Sequence, residues 1–261
     1  MSDVLQGKGL VGLTEIESAA KRLNGIIVST PLIPADVLSE KVGAQVRLKC
    51  ENLQRTGSFK VRGAYNFVSQ LSDDQVANGI ITYSSGNHAQ AVALAGKLRD
   101  VRVVVVMPTD APQVKRDGAE RLGAEIVFEG TTSVERMQRA EIIAEEEGLI
   151  IVPPFDHRHI IAGQGTVGLE IARAWEDVDM VLAPIGGGGL ASGVAAAVKR
   201  ILPSARVIGV EPEGAASMRR ALDNGSPILL PKVETIADGL KPVIAGQLTF
   251  EHANDLMDDV V

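Results

Sequence analysis

The sequence has little of what several protein classes require. Cys50 is its one cysteine, which excludes an internal disulfide framework and a cysteine-built metal site and predicts a reducing compartment. Aromatic residues make up 3%, and the most apolar run, Val103–Met107, is far too short to span a bilayer. The first ten residues, MSDVLQGKGL, lack the apolar core of a signal peptide, so a cytoplasmic location without membrane contact is expected.

An excess of positive charge is also absent. The net charge is −7 at neutral pH, and acidic and basic residues are interspersed, so no basic face is offered to a nucleic-acid backbone. Apolar residues make up 45% of the 261 positions, enough for a core in one large α/β domain or two smaller ones. The composition therefore predicts an ordinary globular protein that does not bind nucleic acid.

Short apolar runs alternate with helical stretches over most of the chain. This β/α alternation predicts parallel sheets that are covered on both faces. Two capping boxes, Thr14 with Glu17 and Thr132 with Glu135, predict helix starts. The predicted strands lie near 46–49, 79–83, 101–107, 125–128, 149–152, 180–183 and 206–210.

Changes in this pattern predict domain boundaries near residues 78 and 153. A small α/β domain, residues 78–153, is predicted between two parts of a larger domain, residues 1–77 and 154–261. The predicted fold class is therefore α/β, with two parallel-sheet domains.

The segment TGSFKVRGA, Thr56–Ala64, places a lysine at the start of a predicted helix. Apolar residues recur at helical spacing from Val61 to Leu71, so Lys60 falls in the first turn, away from the apolar stripe. A lysine there opposes the helix dipole, whose positive end is the N-terminus. Because an amine in a partly desolvated, electropositive place has a lowered pKa, Lys60 is predicted to be a nucleophile in a cleft.

The segment IGGGGLASG, Ile185–Gly193, follows an apolar strand and opens an alanine-rich helix. Its four glycines present backbone N–H groups at the positive end of that helix, which predicts an anion cradle for a phosphate. Two other interpretations stay open. The glycines serve only tight strand-to-helix packing, or they form a G-x-G-x-x-A dinucleotide fingerprint for NAD, with Glu211 as the ribose-binding acid.

The segment SSGNHAQ, Ser84–Gln90, lies between another apolar strand and another alanine-rich helix. Hydroxyl groups, an amide and free N–H groups meet there, which suits a small carboxylate. The alternative is a helix cap, with His88 hydrogen-bonded internally or facing solvent. A helix-mouth lysine, a phosphate cradle and a carboxylate pocket together suit an enzyme that holds a phosphorylated aldehyde and reacts an amino acid with it. Pyridoxal 5'-phosphate is such an aldehyde.

Five segments, in their order along the chain, carry a family resemblance: GSFKVRGA, YSSGNHAQAVALAGK, PFDHRHIIAGQGT, IGGGGLASG and IADGLKP. They resemble the serine/threonine dehydratases among the fold-type II pyridoxal phosphate enzymes, which include serine racemase and hydroxyaspartate dehydratases. The resemblance covers nearly the whole chain and implies a tryptophan synthase β-like fold. It also implies a C-terminal truncation, since relatives continue beyond DLMDDVV to the group that meets the pyridine nitrogen.

The resemblance implies a role for individual residues. Lys60 is implied to form the Schiff base and to remove the Cα proton, and Asn87 to bond the pyridine 3-hydroxyl. The glycines of the cradle are implied to hold the phosphate, and Gly239 to border the ring. The implied cofactor residues are Phe59, Lys60, Asn87, Gly186, Gly187, Gly188, Gly189 and Gly239, and the residues implied around the substrate carboxylate are Ser84, Ser85, Asn87 and His88.

The implied reaction removes the β-hydroxyl group and the amine of L-threonine or L-serine. It gives 2-oxobutyrate, an intermediate of isoleucine biosynthesis, or pyruvate, with release of ammonia. Ser85 keeps a second reaction open, because racemases have a serine there as the acid and base opposite the lysine. Serine racemisation and dehydration of 3-hydroxyaspartate are therefore alternatives, and a non-catalytic binding remnant is a further one.

The family also suggests a homodimer or homotetramer. In some relatives a Mg²⁺, Ca²⁺ or monovalent cation lies near the segment GVEP, where Glu211 and the carbonyl of Ala215 would bind it. Ser217 stands where those relatives have an acid. A solvated Glu211 at a strand end is the alternative interpretation.

Overall fold

The computed structural model describes residues 9–84 and 86–261 as an alternation of helices and short strands. The helices are α1 (Leu13–Leu23), α2 (Asp36–Val42), α3 (Lys60–Val68), α4 (Asn87–Arg99), α5 (Gln113–Glu120), α6 (Ser133–Glu147), α7 (Arg158–Ala174), α8 (Gly189–Ile201), α9 (Ser217–Asn224) and α10 (Gln247–Leu256). The strands are β1 (Leu32–Pro34), β2 (Arg47–Lys49), β3 (Ile80–Tyr83), β4 (Val103–Met107), β5 (Glu125–Phe128), β6 (Ile150–Ile151), β7 (Met180–Pro184), β8 (Arg206–Val210) and β9 (Asp259–Val260).

Two parallel sheets carry the fold, as the β/α alternation predicts. The first has the strand order β5-β4-β3-β6 and the second the order β7-β8-β9, with every neighbouring pair parallel. Strands β1 and β2 form a separate antiparallel pair, of which only β2 is predicted. The α/β class with two parallel sheets is therefore confirmed, and the domain boundaries near residues 78 and 153 stay a prediction.

The two central strands of the first sheet, β3 and β4, are covered on both faces. Val103, Val105 and Met107 pack in one cluster with the alanines of α4, whereas Val104 and Val106 pack in another with Ala140 and Ile143 of α6. Successive residues of a strand point to opposite faces, so a strand covered on both sides must be apolar throughout. This explains why β4 reads as an uninterrupted apolar run.

Helix α7 packs against both α3 and α8, and glycines permit the close approach. A Cβ atom added at Gly163 would lie 2.5 Å from the carbonyl oxygen of Arg62 in α3, and one at Gly193 in α8 would lie 2.5 Å from the nitrogen of Gly165. Any larger side chain would push these helices apart. Helix α7 thus fixes the helix that begins with Lys60 relative to the helix that follows the tetraglycine turn.

A buried arginine strengthens the contact between α3 and α7. Arg62 is fully buried and donates to Glu51 at 2.8 Å from both Nε and Nη2. It also donates to Glu170 of α7, at 2.6 Å from Nη1 and 2.9 Å from Nη2, and to Thr166 Oγ1 at 3.0 Å. Lys49 approaches the second carboxylate of this cluster at 2.5 Å. All five donor sites of the guanidinium group are therefore used inside the protein.

The helix starts confirm one predicted capping box and correct the other. The Thr132 hydroxyl accepts from the Glu135 backbone N–H at 3.2 Å, and the glutamate accepts in return from the Thr132 N–H at 2.8 Å. The box predicted at Thr14 is wrong, because α1 begins one residue before it. There the Glu15 carboxylate accepts from the Gly12 N–H at 2.9 Å and pairs with Arg158 at the start of α7. A tertiary ion pair thus accompanies the observed start.

The strands predicted after residue 78 are all present, with ends within two residues of the prediction. None of the helices formed by residues 9–84 and 86–261 combines the length and the hydropathy needed to cross a bilayer.

Candidate active site

Lys60 is the first residue of α3, as the sequence predicts. Its Nζ donates to the carbonyl oxygen of Pro154 at 2.7 Å and lies 5.5 Å from the centroid of the Phe59 ring. Burial lowers the pKa of the Lys60 amine from 10.5 to about 8. At pH 7.5 about a quarter of such amines are neutral, against about a thousandth of ordinary lysines. The buried position therefore resolves the conflict between a lysine and the positive end of a helix.

The predicted anion cradle lies between β7 and α8. Gly188 has φ of +97°, a conformation open to glycine and rarely to other residues, and it caps α8. Among the described residues, none accepts a hydrogen bond from the N–H groups of Gly186–Gly189. A Cβ atom at Gly187 would lie 2.3 Å from the Phe155 ring. The turn thus offers free N–H groups at the start of a 13-residue helix, an arrangement that fits a phosphate.

Three consecutive residues connect Lys60 with the cradle. The carbonyl of Pro154 accepts the Lys60 hydrogen bond, and the Phe155 side chain packs against Gly187. The Asp156 carboxylate accepts from two backbone N–H groups at the start of α10, at 2.9 and 3.1 Å. The two groups that sequence analysis assigns to one cofactor therefore contact the same short segment, although they are more than 120 residues apart in sequence.

Gly239 lies beside the cradle. A Cβ atom built on Gly186 would be 3.0 Å from the Gly239 carbonyl oxygen and 3.2 Å from Pro242. Gly239 itself has open space around its Cα atom, with no atom within 4 Å of an added Cβ. The structure thus brings the segment IADGLKP to the tetraglycine turn, and the predicted contact of Gly239 with a cofactor ring remains a prediction.

His88 is buried and neutral. Its side chain is 3% exposed, and Nε2 donates to the Val152 carbonyl oxygen at 3.1 Å, since a carbonyl oxygen only accepts. Burial, and secondarily the nearby Lys60 charge, lowers the pKa of His88 to about 3. The solvent-facing alternative is wrong. Because the one N–H group of the neutral ring is already used, His88 has no N–H group left to donate to a substrate carboxylate.

The remaining residues of SSGNHAQ surround the start of α4. The Ser84 hydroxyl accepts from the Gly86 N–H at 3.3 Å, and Asn87 is the exposed first residue of the helix. No side chain among the described residues caps α4, so its first N–H groups remain available to an anion. Ser85 lies outside the described residues. The substrate and cofactor roles of these residues stay predictions.

The Glu211 carboxylate caps a helix. Glu211 is 9% exposed, and its carboxylate accepts from the N–H groups of Met218 at 2.9 Å and Arg219 at 2.8 Å at the start of α9. Burial raises the pKa of this carboxyl group. The expectation of a solvated Glu211 is therefore wrong, and the dinucleotide interpretation loses its ribose-binding acid. The described residues form no group of three or more histidine, cysteine or acidic side chains that could hold a metal, and Ala215 is buried in a short 3₁₀ turn.

Asp156 and Thr249 contact the site but cannot be recognised from the sequence. The motif PFDHRHIIAGQGT contributes to the family resemblance, but nothing in its spacing assigns Asp156 to the cradle. Thr249 belongs to no motif, yet its hydroxyl donates to the Gly187 carbonyl at 2.7 Å. Its partner is 62 residues away in sequence, so local patterns carry no signal for this contact.

Comparison with known proteins agrees with this site. Residues 23–261 match the family described as pyridoxal-phosphate dependent enzyme. Threonine dehydratase from Nicotiana attenuata is 42% identical over 94% of this chain, and L-threonine ammonia-lyase from Thermotoga maritima is 42% identical over 97% of it. The chain spans 41% and 63% of the lengths of these two relatives. Maize serine racemase superposes with a TM-score of 0.93 at 39% identity, over 96% of this chain and 76% of that one. The chain therefore belongs to the pyridoxal-phosphate dependent enzymes.

Proposed function

We propose that the chain is the cofactor-binding and substrate-binding core of a lyase that converts L-threonine or L-serine to 2-oxobutyrate or pyruvate and ammonia. The main structural support is the segment Pro154–Asp156, which joins a buried lysine amine to a tetraglycine turn. Two relatives are named threonine dehydratase and L-threonine ammonia-lyase. The threonine reaction would serve isoleucine biosynthesis.

The residues present fit pyridoxal 5'-phosphate. The free N–H groups of Gly186–Gly189 would hold the phosphate, Lys60 would hold the aldehyde carbon, and Phe59 would pack beside the ring. When bound, the cofactor withdraws electrons from the Cα atom of an attached amino acid and so makes its proton acidic. The substrate carboxylate would bind the N–H groups at the start of α4, near Ser84 and Asn87.

Lys60 is suited to move a proton near neutral pH. With a pKa of about 8, Nζ is neutral often enough to accept a proton from Cα and charged often enough to return one. The Pro154 carbonyl oxygen can accept a hydrogen bond from Nζ in either protonation state, because the neutral amine and the ammonium group both carry N–H. Neutral His88 adds no competing positive charge beside the lysine, because its pKa is far below the working range.

Covalent labelling tests the proposal. The purified protein is mixed with pyridoxal 5'-phosphate and borohydride, and the labelled peptide is identified by mass spectrometry. Lys60→Ala should abolish the label and the release of keto acid from threonine and serine, whereas Lys97→Ala, at an exposed lysine of α4, should leave both unchanged. Keto acid release by Lys60→Ala at the wild-type rate would refute the mechanism.

Racemisation of serine is the second candidate. The superposition on maize serine racemase, at a TM-score of 0.93, is the observation that favours it. Chiral chromatography of L-serine after incubation distinguishes the two reactions, because a racemase produces D-serine and a dehydratase consumes serine to pyruvate. The assay of keto acid release, repeated with 3-hydroxyaspartate, tests whether that compound is dehydrated.

The proposal also includes a homodimer or homotetramer in the cytoplasm. The single cysteine supports a reducing compartment. A cation at Glu211 and Ala215 is left out of the proposal, because both oxygens of the Glu211 carboxylate already accept backbone hydrogen bonds.

A further inference from the structure

Thr249 is a fully buried polar residue against the tetraglycine turn. Its hydroxyl oxygen lies 2.7 Å from the Gly187 carbonyl oxygen and 3.1 Å from the Gly246 carbonyl oxygen. A hydroxyl group has one hydrogen to donate, and the shorter contact is the one to Gly187. A Cβ atom at Gly188 would lie 2.6 Å from Thr249 Cβ, so the turn rests directly on this side chain.

This hydrogen bond fixes the direction of an N–H group in the cradle. The carbonyl of Gly187 and the N–H of Gly188 belong to one peptide unit, which is planar and trans, so the two groups point in opposite directions. Holding the carbonyl toward Thr249 therefore turns the Gly188 N–H away from α10. In the same way, the Gly188 carbonyl accepts from the Ser192 N–H at 2.9 Å, which turns the Gly189 N–H away from the body of α8. Both N–H groups are left to an external anion.

Asp156 holds Thr249 in turn. Its carboxylate accepts from the Gln247 N–H at 2.9 Å and from the Thr249 N–H at 3.1 Å. A negative charge at the start of a helix satisfies its free N–H groups and interacts favourably with its dipole. Gly246 is necessary for this contact, since a Cβ atom there would lie 2.3 Å from the carboxylate. A continuous chain of hydrogen bonds therefore runs from Asp156 through Thr249 to Gly187.

We infer that Thr249 is a positioning residue of the anion cradle, held in place by Asp156, and that it determines the affinity for the phosphate group. The inference rests on the proposed function for the identity of the natural ligand, but its test uses inorganic phosphate as well. Thr249 touches neither the phosphate nor the lysine in this scheme. Its effect should therefore be selective for ligands that carry a phosphate.

The experiment compares Thr249→Val, which keeps the shape and removes the hydroxyl, with Thr249→Ser, which keeps the hydroxyl. Dissociation constants are measured for pyridoxal 5'-phosphate and for pyridoxal by absorbance, and for inorganic phosphate by calorimetry. Thr249→Val should bind pyridoxal 5'-phosphate and inorganic phosphate about five- to tenfold more weakly, the value of one hydrogen bond, with pyridoxal changed less than about twofold. Thr249→Ser should restore both phosphate affinities to within about twofold of wild type.

Asp156→Asn provides a second, independent variant should Thr249→Val fail to fold. It weakens the charge at the start of α10 and should lower phosphate affinity about two- to fivefold, again without affecting pyridoxal. Equal losses for pyridoxal and pyridoxal 5'-phosphate, or no loss for either, would overturn the inference. If the wild-type protein binds inorganic phosphate but forms no adduct with pyridoxal 5'-phosphate, the proposed function fails. The dissociation constants of wild type and variants for inorganic phosphate then still decide the role of Thr249.

Discussion

Removing the Arg62 guanidinium group should destabilise the protein far more than removing a surface arginine that also pairs with two glutamates. Arg62→Met keeps the length and the apolar part of the side chain and removes the charge. It leaves the carboxylates of Glu51 and Glu170, whose side chains are 12% and 25% exposed, facing each other without their main partner. Lys49 still pairs with Glu170, at 2.5 Å, and offsets part of the loss.

The magnitude follows from burial. Removing one partner of a buried charge cluster typically costs 3–5 kcal/mol, because the remaining charges are desolvated without compensation. The residual exposure of both carboxylates and the presence of Lys49 place the expected loss near the lower end, at about 3 kcal/mol. For two-state unfolding this loss appears as a lower urea midpoint at unchanged slope.

Arg102 is the matched control. It also pairs with two glutamates, Glu125 at 2.7 Å and Glu147 at 2.6 Å, but its side chain is 41% exposed and theirs are 56% and 43% exposed. Solvent screens such pairs, so Arg102→Met should cost less than about 1 kcal/mol. Adding Glu51→Gln and Glu170→Gln to Arg62→Met should recover most of the loss. Equal midpoints for the two arginine variants would refute the argument from burial.

Three further perturbations have defined outcomes. Gly187→Ala should lower the unfolding free energy by about 1–3 kcal/mol and weaken cofactor binding, because the added Cβ would lie 2.3 Å from the Phe155 ring. Gly239→Ala is the control, since its Cβ would lie in open space and should leave the urea midpoint unchanged. For His88 the folded-state pKa of about 3 lies below the unfolded value of 6.5, so its contribution to stability is complete above pH 6.5 and is lost as pH falls toward 3. Calorimetry should show that this group alone lowers the unfolding free energy by about 2 kcal/mol at pH 5. A stability that does not change between pH 7 and pH 5 would contradict this expectation. Acetylation of Lys60 in the cofactor-free protein should have its pH midpoint near 8, and a midpoint near that of exposed lysines, about 10.4, would show that the amine is solvated.

Much of the fold could be predicted because its signals are local. The parallel strands can be recognised as short apolar runs. The capping box of Thr132 and Glu135 predicts a helix start from residues that are close in sequence. The start of α1 could not be read in this way. The spacing of Thr14 and Glu17 fits the motif, but the helix is capped at Gly12, whose N–H group donates to Glu15, and Glu15 also pairs with Arg158, more than 140 residues away. Only the tertiary structure distinguishes the two alternatives.

The same distinction applies to the candidate site. Lys60 and the tetraglycine turn are visible in the sequence because a helix-mouth lysine and four successive glycines are unusual in themselves. Glu211 shows the opposite case. Its position after a strand suggests a ligand for a ribose or a cation, and only the tertiary structure shows that both carboxylate oxygens accept hydrogen bonds from the backbone of α9.

The two prolines before Phe155 have a thermodynamic consequence. Their rings fix φ at residues 153 and 154, which restrains the backbone that leads to the Pro154 carbonyl, the acceptor of the Lys60 hydrogen bond, and to Phe155, which contacts the tetraglycine turn. Since coupling free energies are reciprocal, whatever factor an anion at the turn imposes on the proton affinity of Lys60, protonation of Lys60 imposes on the anion. The acid–base state of the amine and the occupancy of the turn thus form one linked equilibrium.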